Sequence, residues 1–282
     1  MALEMRKFII KIKKFFAKLM EVIGYIGAPI AIFGFWNDFP AYINDYRGCV
    51  FFILVVIVLL ITGFLIWPKN SVSLKLSERV KANVFYGDIF KQKGVIVIPV
   101  NEYFDIIVDD KIIIHESLHG KFVKYFGQNK DNLKKKISDE LKNVACIDTN
   151  SGRSYGNQER YPLGTVCQVE KDEKRFFLVA LTKFNKNDRA EVKNLEYLSV
   201  LCDLFSYIDE NSQGKKVNIP LIGAGHSGVR LSKQKLLEFL LLSVTLQDNL
   251  TLIGGVNIVL DSSIENEIYL NSIEILFNSI ES

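Results

Sequence analysis

The chain has 282 residues, room for one sizeable domain and an appendage, and is 49% hydrophobic with a formal net charge of +3. That charge is too small, and the basic residues too dispersed, to indicate a nucleic-acid binder, and the run Lys134-Lys135-Lys136 reads as a solvated helix face. Four scattered cysteines, Cys49, Cys146, Cys167 and Cys202, form no CxxC pair, which excludes a zinc knuckle or disulfide framework and fits buried thiols in a reducing compartment.

Residues 1–70 carry two apolar runs. Leu19–Trp36 (LMEVIGYIGAPIAIFGFW) has one charge, Glu21, and Cys49–Trp67 (CVFFILVVIVLLITGFLIW) has none. Each approaches the ~20 apolar residues that a helix needs to cross a bilayer core. A cleaved signal peptide would need a small-residue site after the first run, and Phe35-Trp36-Asn37-Asp38 offers none. A buried soluble hairpin is the other alternative, and a charge-free run of this length argues against it. Arg6, Lys7, Lys11, Lys13, Lys14 and Lys18 precede the first run, and Lys69, Lys75, Arg79 and Lys81 follow the second. The loop Asn37–Gly48 has Asp38 and Asp45 against Arg47. Positive flanks stay inside, so a multi-pass hairpin in the cell membrane with both termini cytoplasmic is expected. The basic KFIIKIKKFFAKLM stretch either lies among headgroups or extends the first helix. Gly24, Gly27, Ala31 and Gly34 share one helix face, a surface for close packing in lipid between copies or within the hairpin.

From residue 71 to 282 the pattern becomes that of an α/β domain. Strands are expected at Val80–Tyr86, Gly94–Val100, Val166–Val169, Arg175–Leu181, Val217–Ile222 and Val256–Leu260. Helices are expected at Leu118–Phe126, Asp131–Val144, Glu191–Ile208, Ser232–Thr245 with Ser232 as N-cap, and Ser263–Phe277. Nearly continuous apolar strands separated by helices imply a largely parallel sheet covered on both faces.

The most informative stretch is Val217–Arg230, VNIPLIGAGHSGVR. A buried strand runs into a glycine-rich turn whose inward N–H groups suit a phosphate. Its GxGxxG match is not a Rossmann half, because about fifty residues remain after Gly228 and the acidic Asp261 comes late. Asp88 and Asn101 stand at the ends of two other strands, where a carboxylate can accept from an adenine amine and an amide can meet a ribose hydroxyl. A plain turn is the alternative for both. His115-Glu116-Ser117-Leu118-His119 fits HExxH, but Ile112-Ile113-Ile114 ahead of it reads as strand or loop and Gly120 follows at once, so a zinc site is not expected.

Together these residues resemble the macro domain family. Gly87-Asp88-Ile89 is similar to its adenine-contacting Gly-Asp-Ile, Asn101 to an asparagine of its distal-ribose motif, and Leu221–Gly228 to its phosphate loop. The resemblance covers about Ser77–Ser282 and implies a three-layer α/β/α sandwich with a mixed sheet. The wording IPVNEYFD, SLHGKF and PLIGAGHSG behind a two-helix anchor resembles the membrane-anchored macro effectors of bacterial type II Thoeris antiphage defence. That resemblance implies a sensor, not an enzyme. A TIR-domain partner makes a histidine-linked ADP-ribose signal, the macro domain binds it, and homo-oligomerisation disrupts the membrane in an abortive infection. It implies no cofactor or metal, and a ligand site at Asp88, Ile89, Asn101, Ser117, Leu118, His119, Gly120, Leu221, Gly223, Ala224, Gly225, His226, Ser227 and Gly228. Two departures put hydrolysis in doubt: Asn101 is followed by Glu102-Tyr103-Phe104, without a second Asn on one alignment, and Ile106–Glu116 contains no glycine. A membrane-tethered ADP-ribosyl hydrolase and a constitutive membrane scaffold are the alternatives.

Overall fold

The computed structural model describes residues 2–36, 46–127, 129–153, 155–185, 190–225, 227–247 and 249–280. The chain forms two compact units, Met1–Pro68 and Lys69–Ser282.

The first unit is a pair of helices, α1 (Ala2–Trp36) and α2 (Arg47–Ile66). The basic segment before the first apolar run is therefore the first part of α1, which continues through Pro29. Phe15–Ile32 and Gly48–Leu65 are long and apolar enough to cross a membrane. At ~1.5 Å per residue α1 is about 52 Å long, more than the ~30 Å of a hydrocarbon core. Its single acidic residue within the apolar run, Glu21, is neutralised by Lys18 at 2.7 Å. Val22 and Thr62 are buried, and Thr62 donates its hydroxyl to Val58 O at 2.7 Å, so that hydroxyl is paired within its own helix. A Cβ on Gly24 would meet nothing within 4 Å, and one on Gly27 only its own helix's Ile23 at 3.9 Å. These two glycines therefore do not hold the hairpin together. The expected outer loop falls largely outside the described residues.

The second unit is built on a sheet of order β1-β2-β10-β9-β3-β7-β6, with β8 paired to β7. Its strands are β1 (Ser71–Lys75), β2 (Lys81–Tyr86), β3 (Val95–Asn101), β6 (Val166–Lys171), β7 (Lys174–Phe184), β8 (Ala190–Glu191), β9 (Val217–Pro220) and β10 (Val256–Leu260). β4 (Asp148–Thr149) and β5 (Glu159–Arg160) form a separate hairpin. The five central strands are parallel and the edges β1 and β6 antiparallel, so the sheet is mixed. Helices α3 (Leu118–Phe126) and α4 (Lys130–Leu141) cover one face through Phe122, Val123, Leu133 and Ile137. Helices α5 (Asn194–Asn211), α6 (Lys233–Thr245) and α7 (Leu270–Ile280) cover the other through Tyr197, Leu204, Leu240 and Ile273. Alternation along β3, with Val95 and Val97 on one side and Ile96 and Ile98 on the other, feeds both cores.

Several sequence expectations need correction. The edge strand β1 was not anticipated, although its SVSLK alternation matches its alternating burial. Helix α5 starts three residues late because Ala190–Glu191 pairs with β7 instead. The last helix is split: Ser262–Glu267 is a 3-10 turn capped by Asp261, and α7 begins at Leu270. Of the four cysteines only Cys167 is buried, its thiol pushed up to about 12 by desolvation, while Cys49 and Cys146 are exposed. Ser232 does cap α6, accepting from Lys235 N at 3.3 Å.

One junction positions everything that follows. β9 pairs with β10 along its whole length, but its ladder with β3 has only Val95↔Val217 and Ile96↔Asn218. Pro99 on β3 and Pro220 on β9 have no N–H to donate, and the strands part towards their C-terminal ends. Asn218 reinforces the base of this short ladder: fully buried, it donates to Lys93 O at 2.8 Å and Val95 O at 3.0 Å. It accepts from Asn257 at 2.9 Å, which accepts from Asn83 at 3.3 Å, making a polar rung across β9, β10 and β2. Replacing Asn218 by Leu leaves buried acceptors and an amide unpaired, a cost of ~2–4 kcal/mol. Thermal unfolding followed by near-UV circular dichroism should show a fall of about 5–15 °C in Tm; Asn83→Ala, at the partly exposed end of the rung, should lose much less.

Candidate functional site

Because five neighbouring strands are parallel, their C-terminal ends lie along one edge of the sheet. Ligands of open α/β sheets bind at that edge, where strands diverge. Here the divergence is between β9 and β3, and the expected site residues fall on both sides of it.

The glycine loop leaves β9. Leu221 and Ile222 are buried, and the Tyr197 hydroxyl of α5 donates to Ile222 O at 2.9 Å. Gly223 follows at φ +86°, with Tyr197, Leu236 and Val229 each 3.2 Å from where a Cβ would stand, so only glycine suits it. Ala224 N donates to Leu221 O at 3.2 Å, and the Ser227 hydroxyl donates to Gly223 O at 3.0 Å, closing the turn. Gly228, at φ +73°, lies against Ala190 O, 2.7 Å from its would-be Cβ. Gly225 is different: it is exposed at the crest and a Cβ there meets nothing within 4 Å. His226 lies outside the described residues.

Across the parting stands the end of β3. A register slip between Val100 and Asn101 marks a bulge there. Asn101 is buried and its side chain is engaged by its own turn: Nδ2 donates to Asp105 at 3.1 Å, and Oδ1 accepts from Tyr103 N at 3.1 Å and Asp105 N at 3.3 Å. The amide expected to meet a ribose thus also shapes its own loop. Phe104 is held at φ +50°, a strained conformation for a bulky residue, with its ring buried edge-on against Tyr161.

Two buried carboxylates in this turn, unnoticed in the sequence, tie down the β4–β5 hairpin. Asp105 accepts two bonds from Arg153, at 2.8 and 3.1 Å, and one from Asn157 N at 2.8 Å. The Arg153 guanidinium carbon lies over the Tyr103 ring, 3.9 Å from its centroid. Glu102 accepts from Arg160 at 3.0 Å and from Phe184 N at 3.0 Å. With about fifty residues between partners, no local pattern announced these pairs.

Helix α3 brings the third element. Ser117 caps it, accepting from Gly120 N at 3.0 Å, which commits that amide and leaves the N–H groups of Leu118 and His119 without an intrahelical acceptor. Gly120 is required by packing, since a Cβ would stand 2.4 Å from Ile114 O. His115 lies before the cap and pairs with Asp110 at 3.0 Å, so the two histidines do not share a helix and the HExxH reading fails on geometry. The half-buried His119 ring is pushed down to about 4 by burial, against a smaller upward pull from the Asp105 carbonyl. It is neutral at physiological pH.

On the far side, Asp88 is exposed at the end of β2 and caps the 3-10 turn Ile89–Lys91, one oxygen accepting from Phe90 N at 2.9 Å. Ile89 is buried beneath it. Asp261, at the end of the adjacent β10, is held below the usual carboxylate range by the Ser263 hydroxyl and N–H, with Lys121 and Lys233 adding to the effect. Two surface hollows, about 680 Å³ beside Arg175 and 370 Å³ beside Arg160, contain no residue of the glycine loop.

His119 gives a pH signature. Its folded pKa lies below the unfolded one, so the unfolded chain binds more protons between about 4 and 6.5. The stability it contributes is complete above that window and lost as pH falls through it. Melting temperature should therefore drop more shallowly between pH 6.5 and 4 in His119→Gln than in the parent chain; parallel curves would contradict this placement.

Comparison with known proteins agrees with the geometry. Residues 82–261 match the family model described as Thoeris protein ThsA, Macro domain. The chain is 32% identical over 200 residues to a Thoeris protein ThsA of Bacillus amyloliquefaciens (strain Y2), a match covering 67% of this chain and 65% of that relative's length. The fold is that of the Oceanobacillus iheyensis macrodomain. A point mutant of it with ADPR aligns at 16% identity and TM-score 0.51 over 75% of this chain and 100% of that one. The same macrodomain with MES bound aligns at 16% and 0.51 over 74% and 98%. The chain belongs to the ThsA macro-domain family of Thoeris proteins.

Proposed function

We propose that the protein is a membrane-anchored Thoeris effector whose macro domain senses an ADP-ribose-derived signal without turning it over. The observation that carries this reading is the early end of the β3–β9 ladder, which parts the two strands at the C-terminal edge of the sheet. The glycine loop lies on one side and the first turn of α3 on the other, two sources of backbone N–H groups for a pyrophosphate. Asp88 is exposed and one of its oxygens has no hydrogen-bond partner among the described residues, which supports its reading as an acceptor for an adenine amine. The similarity to a macrodomain structure with ADPR supports the same ligand class.

The absence of turnover is supported by how the β3 side is used. The Asn101 amide is bonded within its own turn, and Glu102 and Asp105 are occupied by Arg160 and Arg153. These bonds hold the three side chains within their own turn, which supports binding in place of hydrolysis. The signal itself is read as histidine-linked ADP-ribose supplied by a TIR-domain partner, following the family resemblance. Binding then drives self-association, and the membrane is disrupted through the two apolar helices. Gly24 and Gly27, open within the hairpin, support contact between copies in lipid.

Calorimetric titration of the detergent-solubilised chain with ADP-ribose tests the site. Gly225→Glu adds a side chain and a charge in open space, so it should fold normally and lose about 100-fold or more in affinity, ~2.7 kcal/mol. An unchanged isotherm would remove this loop from the ligand site. Incubation with amino-acid-linked ADP-ribose tests the absence of turnover: the conjugate should be recovered intact. Steady product beyond one equivalent per chain would establish the tethered hydrolase instead.

A further inference from the structure

The parallel strands end along the ligand edge in the order β2, β10, β9, β3, β7. At ~4.8 Å per strand, β2 stands about 12 Å from the middle of the β9–β3 parting and β7 about 7 Å on the other side. ADP-ribose has its pyrophosphate in the middle and a nucleoside end on either side. With the pyrophosphate at the parting and the adenine at Asp88, an extended ligand sends its distal ribose towards β7.

A hollow of about 370 Å³ lies at that end of β7, lined among others by Glu102, Arg160, Lys183 and Glu196, with Ile147 and Pro162 adding exposed apolar surface. Glu102 N donates to Thr182 O at 2.8 Å, which sets Glu102 and Lys183 level with the ligand edge. The end of the glycine loop is close by: Gly228 lies against Ala190 O, and β8 pairs Ala190 with Phe184 and Glu191 with Lys183.

The lining has donors to spare and few acceptors. Glu102 accepts from Arg160 on one oxygen and from Phe184 N on the other. Glu196 accepts from Lys183 at 2.5 Å on one oxygen and from Lys193 N at 2.9 Å on the other. The ammonium of Lys183 has three N–H groups and the guanidinium of Arg160 five. Among the described residues, Lys183 makes that one hydrogen bond and Arg160 makes the one to Glu102; Arg160 Nη1 stands 3.9 Å from Asp148, and its Nε is buried without a partner. The acids orient the two cations and leave most of their donors unanswered. Two cations against two carboxylates make the lining neutral, which suits a singly charged acceptor better than a dianionic phosphate.

We propose that this hollow receives the group attached to the distal ribose of the signal and selects one of amino-acid size with a free carboxylate. Arg160 and Lys183 donate to the carboxylate, and Ile147 and Pro162 cover the rest of the group. The proposal rests on reading the glycine loop as the pyrophosphate site, and deepens that reading by naming what the signal carries.

The test is titration of the detergent-solubilised full chain with three probes: ADP-ribose, its histidine-linked conjugate, and the histamine-linked conjugate, which differs from the second only in lacking the carboxylate. The histidine conjugate should bind about tenfold or more tightly than the histamine conjugate. Lys183→Gln should reduce that preference to about threefold or less, while ADP-ribose, which has no such group, binds as it does to the parent chain. Arg160→Lys keeps a charge for Glu102 but removes the guanidinium fork, and should reduce the preference in the same way. Equal affinity of the parent chain for the two conjugates overturns this proposal alone. An equal loss for all three probes in Lys183→Gln makes the residue structural and also overturns it. Failure of the parent chain to bind any of the three overturns the pyrophosphate reading and this one with it.

Discussion

The early end of the β3–β9 ladder is the constraint on which the site depends. Parallel strands held in register to their ends would leave a flush edge with no room for a ligand between them. Two ladder pairs and the bonds of the Asn218 amide hold the strands at their base, and beyond that point each carries a proline. The strands open, and each end becomes one wall. The glycine loop needs β9 fixed beneath it, and Tyr197 and Leu236 press on it from the helices behind. The Asn101–Asp105 turn needs β3 fixed, and the pairing of β3 with β7 over Val95–Asn101 provides that.

The second wall is rigid for an electrostatic reason. Glu102 and Asp105 are almost completely buried, and a buried carboxylate without a partner is strongly disfavoured. Each is matched by an arginine from the β4–β5 hairpin and by a backbone N–H. Such pairs add little net stability over an apolar packing, but removing one partner costs ~3–5 kcal/mol. Their effect is to fix one arrangement of the turn, with Asn101 folded inward and Phe104 held in its strained conformation. Rigidity of this kind lowers the entropic cost of binding a ligand at this edge.

Sequence periodicity located the elements whose neighbours are local. Helix α3 spans the expected Leu118–Phe126 and β10 the expected Val256–Leu260, because flanking glycines and capping residues mark their ends. The glycine loop was legible for the same reason. What escaped depends on contacts distant in sequence. Arg153 reaches Asp105 across 48 residues, and Asn218 looks like any polar residue in a strand until β3 and β10 flank it. That the Asn101 side chain bonds within its own turn was not legible either, because it depends on where the carboxylate of Asp105 stands once the turn has closed.

The central claim is that a pyrophosphate is held between the glycine loop and the first turn of α3. Hydrogen exchange of the full chain with and without ADP-ribose tests it most directly. Protection is expected together at the amides of Gly223–Gly228 and of Leu118 and His119, the two walls of one crevice. Protection at only one wall, or at neither, would contradict the account.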